Sequence, residues 1–218
     1  MIAEKLNLKL NGELEMKVSE IFKSIQGEGS EVGRTTVFLR LSGCNLSCGF
    51  CDSKYAKNGK EMTVEEVARE IKKYNVMHVT VTGGEPTLQD KELQDLIYEL
   101  DEHHFSLETN GTKYTETFFD STIVSPKKQK IEMQVLNQYL QNDCVNFKFV
   151  YEDKNDKWWE AIIYSLKISP EKVYIMAEGA TREKQMKKMS EVIDYCLKKN
   201  YNFSPRLHVL VWDIRRGV

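Results

Sequence analysis

Four short segments of the chain alternate residue types as β-strands do, and each runs straight into an unusual motif. Residues 36–41, TVFLRL, lead into GCNLSCGFC; residues 78–82, HVTVT, lead into GGEP. Residues 105–109, FSLET, lead into NGT, and residues 121–124, STIV, into SPK. Helical periods lie between them. Residues 63–74 open on Thr63 and Glu66 at the spacing of a capping box. Residues 90–102 repeat Leu93, Leu96, Ile97 and Leu100 at helical spacing. Beyond them, 146–150 and 173–177 read as strands and 158–166 as a helix. Thr181 caps a long helix with Met186, Met189, Ile193 and Leu197 on one side, and 207–212 read as a last strand.

Such alternation predicts βαβ units and a parallel sheet. Right-handed crossovers curve that sheet into a full or partial barrel. Ligands then bind beyond the carboxyl ends of the strands, so the four motifs are expected on one rim. The expectation is an α/β chain, residues 1–218 forming one domain, with residues 43–53 as a metal-binding loop.

That loop holds Cys44, Cys48 and Cys51, three of only five cysteines. The start of the chain has no apolar run like that of a signal peptide, and no run approaches the ~18 apolar residues of a membrane span. A cytoplasmic protein is expected, and in a reducing compartment clustered cysteines read as metal ligands or catalytic groups. Cys144 and Cys196, in apolar surroundings, read as buried structural thiols. A net charge of −2 without a basic stripe argues against nucleic-acid binding. Structural zinc wants four ligands, and no fourth lies near. A disulfide pair would leave one cysteine over. A four-iron, four-sulfur cluster held by three thiolates leaves one iron open, and an open metal position is a site for substrate or cofactor.

Cys-x3-Cys-x2-Cys with Phe50 before the last cysteine resembles the signature of radical S-adenosylmethionine (SAM) enzymes. Thr82-Gly83-Gly84-Glu85-Pro86 resembles that family's GGEP element. Glycine there lets backbone approach a ligand closely. The resemblance implies a partial βα barrel in which SAM sits on the open iron and yields a 5′-deoxyadenosyl radical. SIQGEG, FLRLSGCN, CDS, TGGEP, ETNGT, SPK, KFV and RRGV together resemble the 7-carboxy-7-deazaguanine synthase family.

That resemblance implies ring contraction of 6-carboxy-5,6,7,8-tetrahydropterin to 7-carboxy-7-deazaguanine and ammonia, in the biosynthesis of 7-deazapurines such as queuosine. It implies cluster ligation by Cys44, Cys48 and Cys51, and a SAM pocket drawn from Phe50, Cys51, Asp52, Gly84, Ser125, Pro126 and Lys127. Ile25, Gln26, Gly27 and Glu28 would line the pterin site. Arg40 would pair with the substrate carboxylate through its planar fork, and Thr82 would lie within reach. Ser53 would ligate Mg²⁺, which takes few protein ligands. Val218 would reach the substrate pocket. A flavodoxin or ferredoxin reductant and a homodimer are also implied, with no membrane partner. Some relatives place a histidine near the end; here Trp212 aligns with it and His208 is offset. Residues 173–178 depart from relatives with Gln-Pro there. Two rivals remain: an activase that makes a glycyl radical on a partner protein, and a non-catalytic iron–sulfur or zinc module.

Overall fold

The computed structural model describes residues 14–49, 51, 56, 58–215 and 217. In chain order the strands are β1 (Glu15–Ile25), β2 (Thr35–Leu41), β3 (Lys60–Thr63), β4 (His78–Gly83), β5 (His104–Thr109), β6 (Ser121–Val124), β7 (Val145–Tyr151), β8 (Val173–Ala177) and β9 (Asn202–Ser204). The helices are α1 (Val64–Lys72), α2 (Asp90–Glu99), α3 (Met133–Leu140), α4 (Trp159–Leu166), α5 (Arg182–Lys199) and α6 (Leu207–Trp212). The strands form one 9-stranded open sheet in the order β3-β1-β2-β4-β5-β6-β7-β8-β9. From β2 to β9 every pairing is parallel, while β1 pairs antiparallel with β2 and with β3. This is the expected partial barrel.

The register divides the sheet into two unlike faces. Val37, Val79 and Phe105 align on one face, as do Leu39, Val81 and Leu107. These residues are buried under α1 and α2, with Val67, Ile71, Leu93 and Leu96. Farther along the sheet, Phe147, Phe149, Val173 and Ile175 pack with Leu136, Trp159, Ile162 and Val192 from α3, α4 and α5. The other face is polar in matching register: Glu20 and Arg40, then Arg40 and Thr82, then Thr80 and Ser106. Parallel strands covered on both faces read as continuous apolar runs. Here the strands alternate because only the outer face is covered by helices. At the start of the parallel strands the Thr36, Thr80 and Ser106 hydroxyls bond to one another at 3.0 and 3.3 Å, so the buried polar groups are satisfied.

Thr63 and Glu66 form the expected capping box of α1. Three expectations fail. Residues 207–212 form helix α6 instead of a strand, because β9 has already taken the sheet edge. The Arg182 guanidinium holds the helix end, donating to the Leu210 and Val211 carbonyls at 2.7 and 2.6 Å. The buried stripe of α5 is Gln185, Val192 and Cys196, whereas Met186 and Leu197 are 62% and 72% exposed. Gln185 misled the pattern: its amide donates to the Ala177 and Gly179 carbonyls at 2.8 and 2.7 Å, which is what allows a polar residue there. Cys144 is exposed in the turn before β7, while Cys196 is buried as expected. β1, β3, β9 and α3 were not anticipated.

Candidate functional site

One cavity of about 570 Å³ follows the polar face of the sheet. At one end it is lined by Cys44, Cys48, Cys51 and Gly84, which follow the carboxyl ends of β2 and β4. At the other it is lined by Ile25, Gln26 and Glu28. Ile25 pairs with Thr35, the first residue of β2, and the cysteine loop follows Leu41, the last. The two groups therefore sit at opposite ends of one strand, roughly 20 Å apart along it. Asn110, Ser125 and Lys127, from the turns after β5 and β6, line the same cavity. The four strand-end motifs do meet on one rim.

The rim is held by backbone contact. A β-carbon added at Gly84 would overlap the Gly43 carbonyl oxygen, and the Glu85 N–H donates to that oxygen at 2.8 Å. Glu85 is fully buried, and among the described residues no cation pairs with it. Its carboxylate instead accepts from the Thr87 N–H and hydroxyl, the Thr109 hydroxyl and the Asn110 N–H, at 2.7 to 3.1 Å. The Asn110 amide is fixed in turn. Its oxygen accepts from Thr112 N–H and hydroxyl, and its nitrogen donates to the Asn45 side-chain oxygen at 3.0 Å. The same nitrogen lies 4.0 Å from Cys44 Sγ.

All three loop cysteines are free thiols. N–H groups approach their sulfurs: Leu46 N–H lies 3.4 Å from Cys44 Sγ and the Gln129 amide 3.3 Å from Cys48 Sγ. Hydrogen bonds of this kind are what protein supplies to iron–sulfur clusters. Burial raises the Cys48 thiol above its ordinary pKa, Lys127 opposes the rise, and Cys51 and Cys44 add to it. Among the described residues no three His, Cys, Asp or Glu side chains converge as they would around one ion. Three thiols from one loop, two of them approached by N–H donors, supply the ligands and hydrogen bonds that an iron–sulfur cluster takes. The donor set fits a cluster. Lys127 Nζ donates to the Ser125 carbonyl and hydroxyl at 2.6 and 2.7 Å, and burial, with Lys148 nearby, lowers its pKa to about 8. Pro126 is buried beside them.

The far end is a compact ionic network. Lys148, from β7, donates to Glu28 Oε2 at 2.6 Å and lies 3.6 Å from Glu108 Oε2. Arg206 Nε donates to Glu28 Oε1 at 3.0 Å, and its Nη1 to the Gly179 carbonyl at 3.0 Å. Gln26 Nε2 donates to Glu108 Oε1 at 3.1 Å. His208 Nε2 lies 3.9 Å from Glu28 Oε1. Although burial alone would raise the Glu28 carboxyl pKa, Lys148, Arg206 and His208 together hold it below the ordinary carboxylate range. Arg40 pairs with Glu20 at 2.6 Å, with its guanidinium 5.9 Å from the Phe22 ring, on the cavity wall beside Phe38 and Thr82. A β-carbon at Gly27 would overlap the His208 ring, so that glycine admits α6 to the site.

His208, and not Trp212, lines the cavity. Residues 176–180 line it too, so the segment that departs from relatives still faces the site. Phe50, Asp52, Ser53 and Val218 lie outside the described residues. Glu20, Phe22, Phe38, Glu108, Lys148, Arg206 and His208 were not assigned from sequence. The out-of-phase polar residues of TVFLRL, FSLET and NFKFV signalled Arg40, Glu108 and Lys148; nothing local signalled Arg206.

A Radical SAM superfamily family model matches residues 39–124. A 7-carboxy-7-deazaguanine synthase from Hyperthermus butylicus is 37% identical over 90% of this chain and 92% of its own length. One of the same name from Halobacterium salinarum is 30% identical over 91% of each. The crystal structure of QueE from Escherichia coli matches with a TM-score of 0.75 at 21% identity, covering 93% of this chain and 98% of that one. That last likeness concerns the fold.

Proposed function

Since this chain belongs to the 7-carboxy-7-deazaguanine synthase family of radical SAM enzymes, we propose that it contracts 6-carboxy-5,6,7,8-tetrahydropterin to 7-carboxy-7-deazaguanine, releasing ammonia. The observation that carries this reading is a cavity shared by the thiols at one end and the ionic network of Glu28, Lys148 and Arg206 at the other. A glycyl-radical activase or a bare iron–sulfur module has no use for the second end.

Cys44, Cys48 and Cys51 would hold the cluster, and SAM bound there would supply the radical chemistry of the reaction. Everything else falls to the chain. Gly84 brings backbone against the cofactor's methionyl end, and Ser125 and Lys127 flank it. Phe50 and Asp52 complete that pocket. Arg40 takes the substrate carboxylate, where its fork gives orientation as well as charge. Glu28, held ionised, accepts from the N–H edge of the pterin, and the backbone of residues 25–27 pairs with the ring beside it. Thr82 sits between the two ends. Ser53 would supply a hydroxyl to Mg²⁺, and Val218 would contact the substrate. A flavodoxin or ferredoxin supplies the electron, and the active form is a homodimer.

Fluorescence titration with 6-carboxypterin, the stable oxidised form of the substrate, tests the site without turnover. The reconstituted protein should bind it in the presence of SAM. Arg40→Ala should weaken that binding about tenfold or more, as loss of a charged bidentate partner does. Absence of binding, or equal affinity in the variant, would contradict the reading.

A further inference from the structure

Lys148 is the most buried charged side chain of the cavity, at 4% exposure. It sits between two carboxylates from distant parts of the chain. Glu28 follows β1 and Glu108 is the penultimate residue of β5, and Lys148 reaches them at 2.6 and 3.6 Å. Both carboxylates keep partial access to the cavity, at 14% and 23% exposure. Their other partners differ. Glu28 also meets Arg206 and His208, while Glu108 meets the neutral Gln26 amide. Lys127, on the cofactor side, is a further nearby cation, and Arg40 and Arg215 also line the cavity.

We propose that Lys148 is a positioning residue for the pterin: its ammonium, shared by Glu28 and Glu108, holds the two carboxylates spaced as paired acceptors for one heterocycle edge and keeps Glu28 charged. This rests on the functional reading above. The lysine itself need not touch the substrate. A buried carboxylate that loses one of its cations takes up a proton at higher pH, and Glu28 without Lys148 keeps only Arg206 and His208 against the cost of burial. It then offers an O–H where the substrate needs an acceptor. Arginine in place of Lys148 preserves the charge, whereas methionine preserves only the stem.

The test uses the reconstituted enzyme and three variants, Lys148→Met, Lys148→Arg and the pair Lys148→Met/Glu28→Gln. Lys148→Met should raise the KM for the pterin about tenfold or more, leave SAM affinity within about twofold, and make pterin binding weaken as pH falls. Lys148→Arg should restore most of the loss and flatten the pH profile. An infrared titration of the substrate-free protein separates this idea from the identity of the substrate. In Lys148→Met a protonated-carboxyl band should appear at higher pH than in the parent, and Glu28→Gln in the pair should diminish it. If Lys148→Met does not fold, the pair, which removes one charge of each sign, carries the comparison through the pH profile. A variant whose infrared titration matches the parent, or whose affinities for pterin and for SAM fall together without pH dependence, would overturn the proposal. Failure of the parent to turn over the pterin would instead count against the functional reading, with the infrared result still deciding the role of Lys148.

Discussion

Gly84 and Gly43 meet backbone to backbone, so closely that no side chain fits at Gly84. The contact fastens the turn after β4 to the start of the cysteine loop, and the Glu85 N–H bond to Gly43 at 2.8 Å completes it. Gly84→Ala has no flexible neighbour to displace, since the obstructing atoms are backbone. The variant should fold, with its apolar cores untouched, yet bind SAM about tenfold more weakly or worse. Calorimetric titration of SAM against reconstituted protein measures it; parental affinity would show that the contact is incidental.

Glu85 accepts four donors and serves as the knot between the turns after β4 and β5. Glu85→Gln turns one acceptor into a donor that faces other donors. The expected cost is about 2 kcal/mol, or a fall of about 4–8 °C in Tm for a chain of this size. Scanning calorimetry reads it directly. An unchanged Tm would mean that the network can rearrange around an amide.

Acid stability should follow Glu28. Its folded-state pKa is depressed, with the attraction of Lys148 the largest of the causes that offset burial. A depressed carboxylate contributes stability above its unfolded pKa, near 4.3, and loses it as pH falls toward the folded value. Urea unfolding should therefore show stability dropping below about pH 5. Glu28→Gln should be less stable at neutral pH but flatter in that acid range. A variant whose acid slope equals the parent's would remove Glu28 from the account.

The five cysteines should divide by chemistry. Alanine at Cys44, Cys48 or Cys51 should abolish iron binding, because three ligands leave no redundancy. The double change Cys144→Ala and Cys196→Ala should leave iron content at parental level. Cys144 is exposed and should alkylate quickly, while burial pushes the Cys196 thiol up to about 11 and keeps it inert. Loss of iron in the double variant would contradict the ligand assignment.

Most of the inner parallel strands and the rim motifs were legible, because period-2 alternation and strand-end punctuation are local signals. The same alternation carried more than was taken from it: Thr80, Glu108 and Lys148 fall in phase with Arg40 and mark the inner face of the sheet. What escaped was set by tertiary context. Residues 207–212 fit either period, and only the prior occupation of the sheet edge by β9 made them a helix. Gln185 is buried through two carbonyls that sequence cannot place beside it. Arg206 reaches Glu28 across almost the whole chain, so no spacing rule could pair them.

The proposed function requires the thiols and the ionic floor to serve one reaction in one cavity. Anaerobic incubation of the reconstituted protein with reductant, SAM, Mg²⁺ and 6-carboxy-5,6,7,8-tetrahydropterin, followed by mass analysis, tests it most directly. The account predicts 7-carboxy-7-deazaguanine and ammonia in equal amounts, over many turnovers, with product lost in Arg40→Ala while iron content is kept. Cleavage of SAM to 5′-deoxyadenosine with the pterin left unchanged would contradict it.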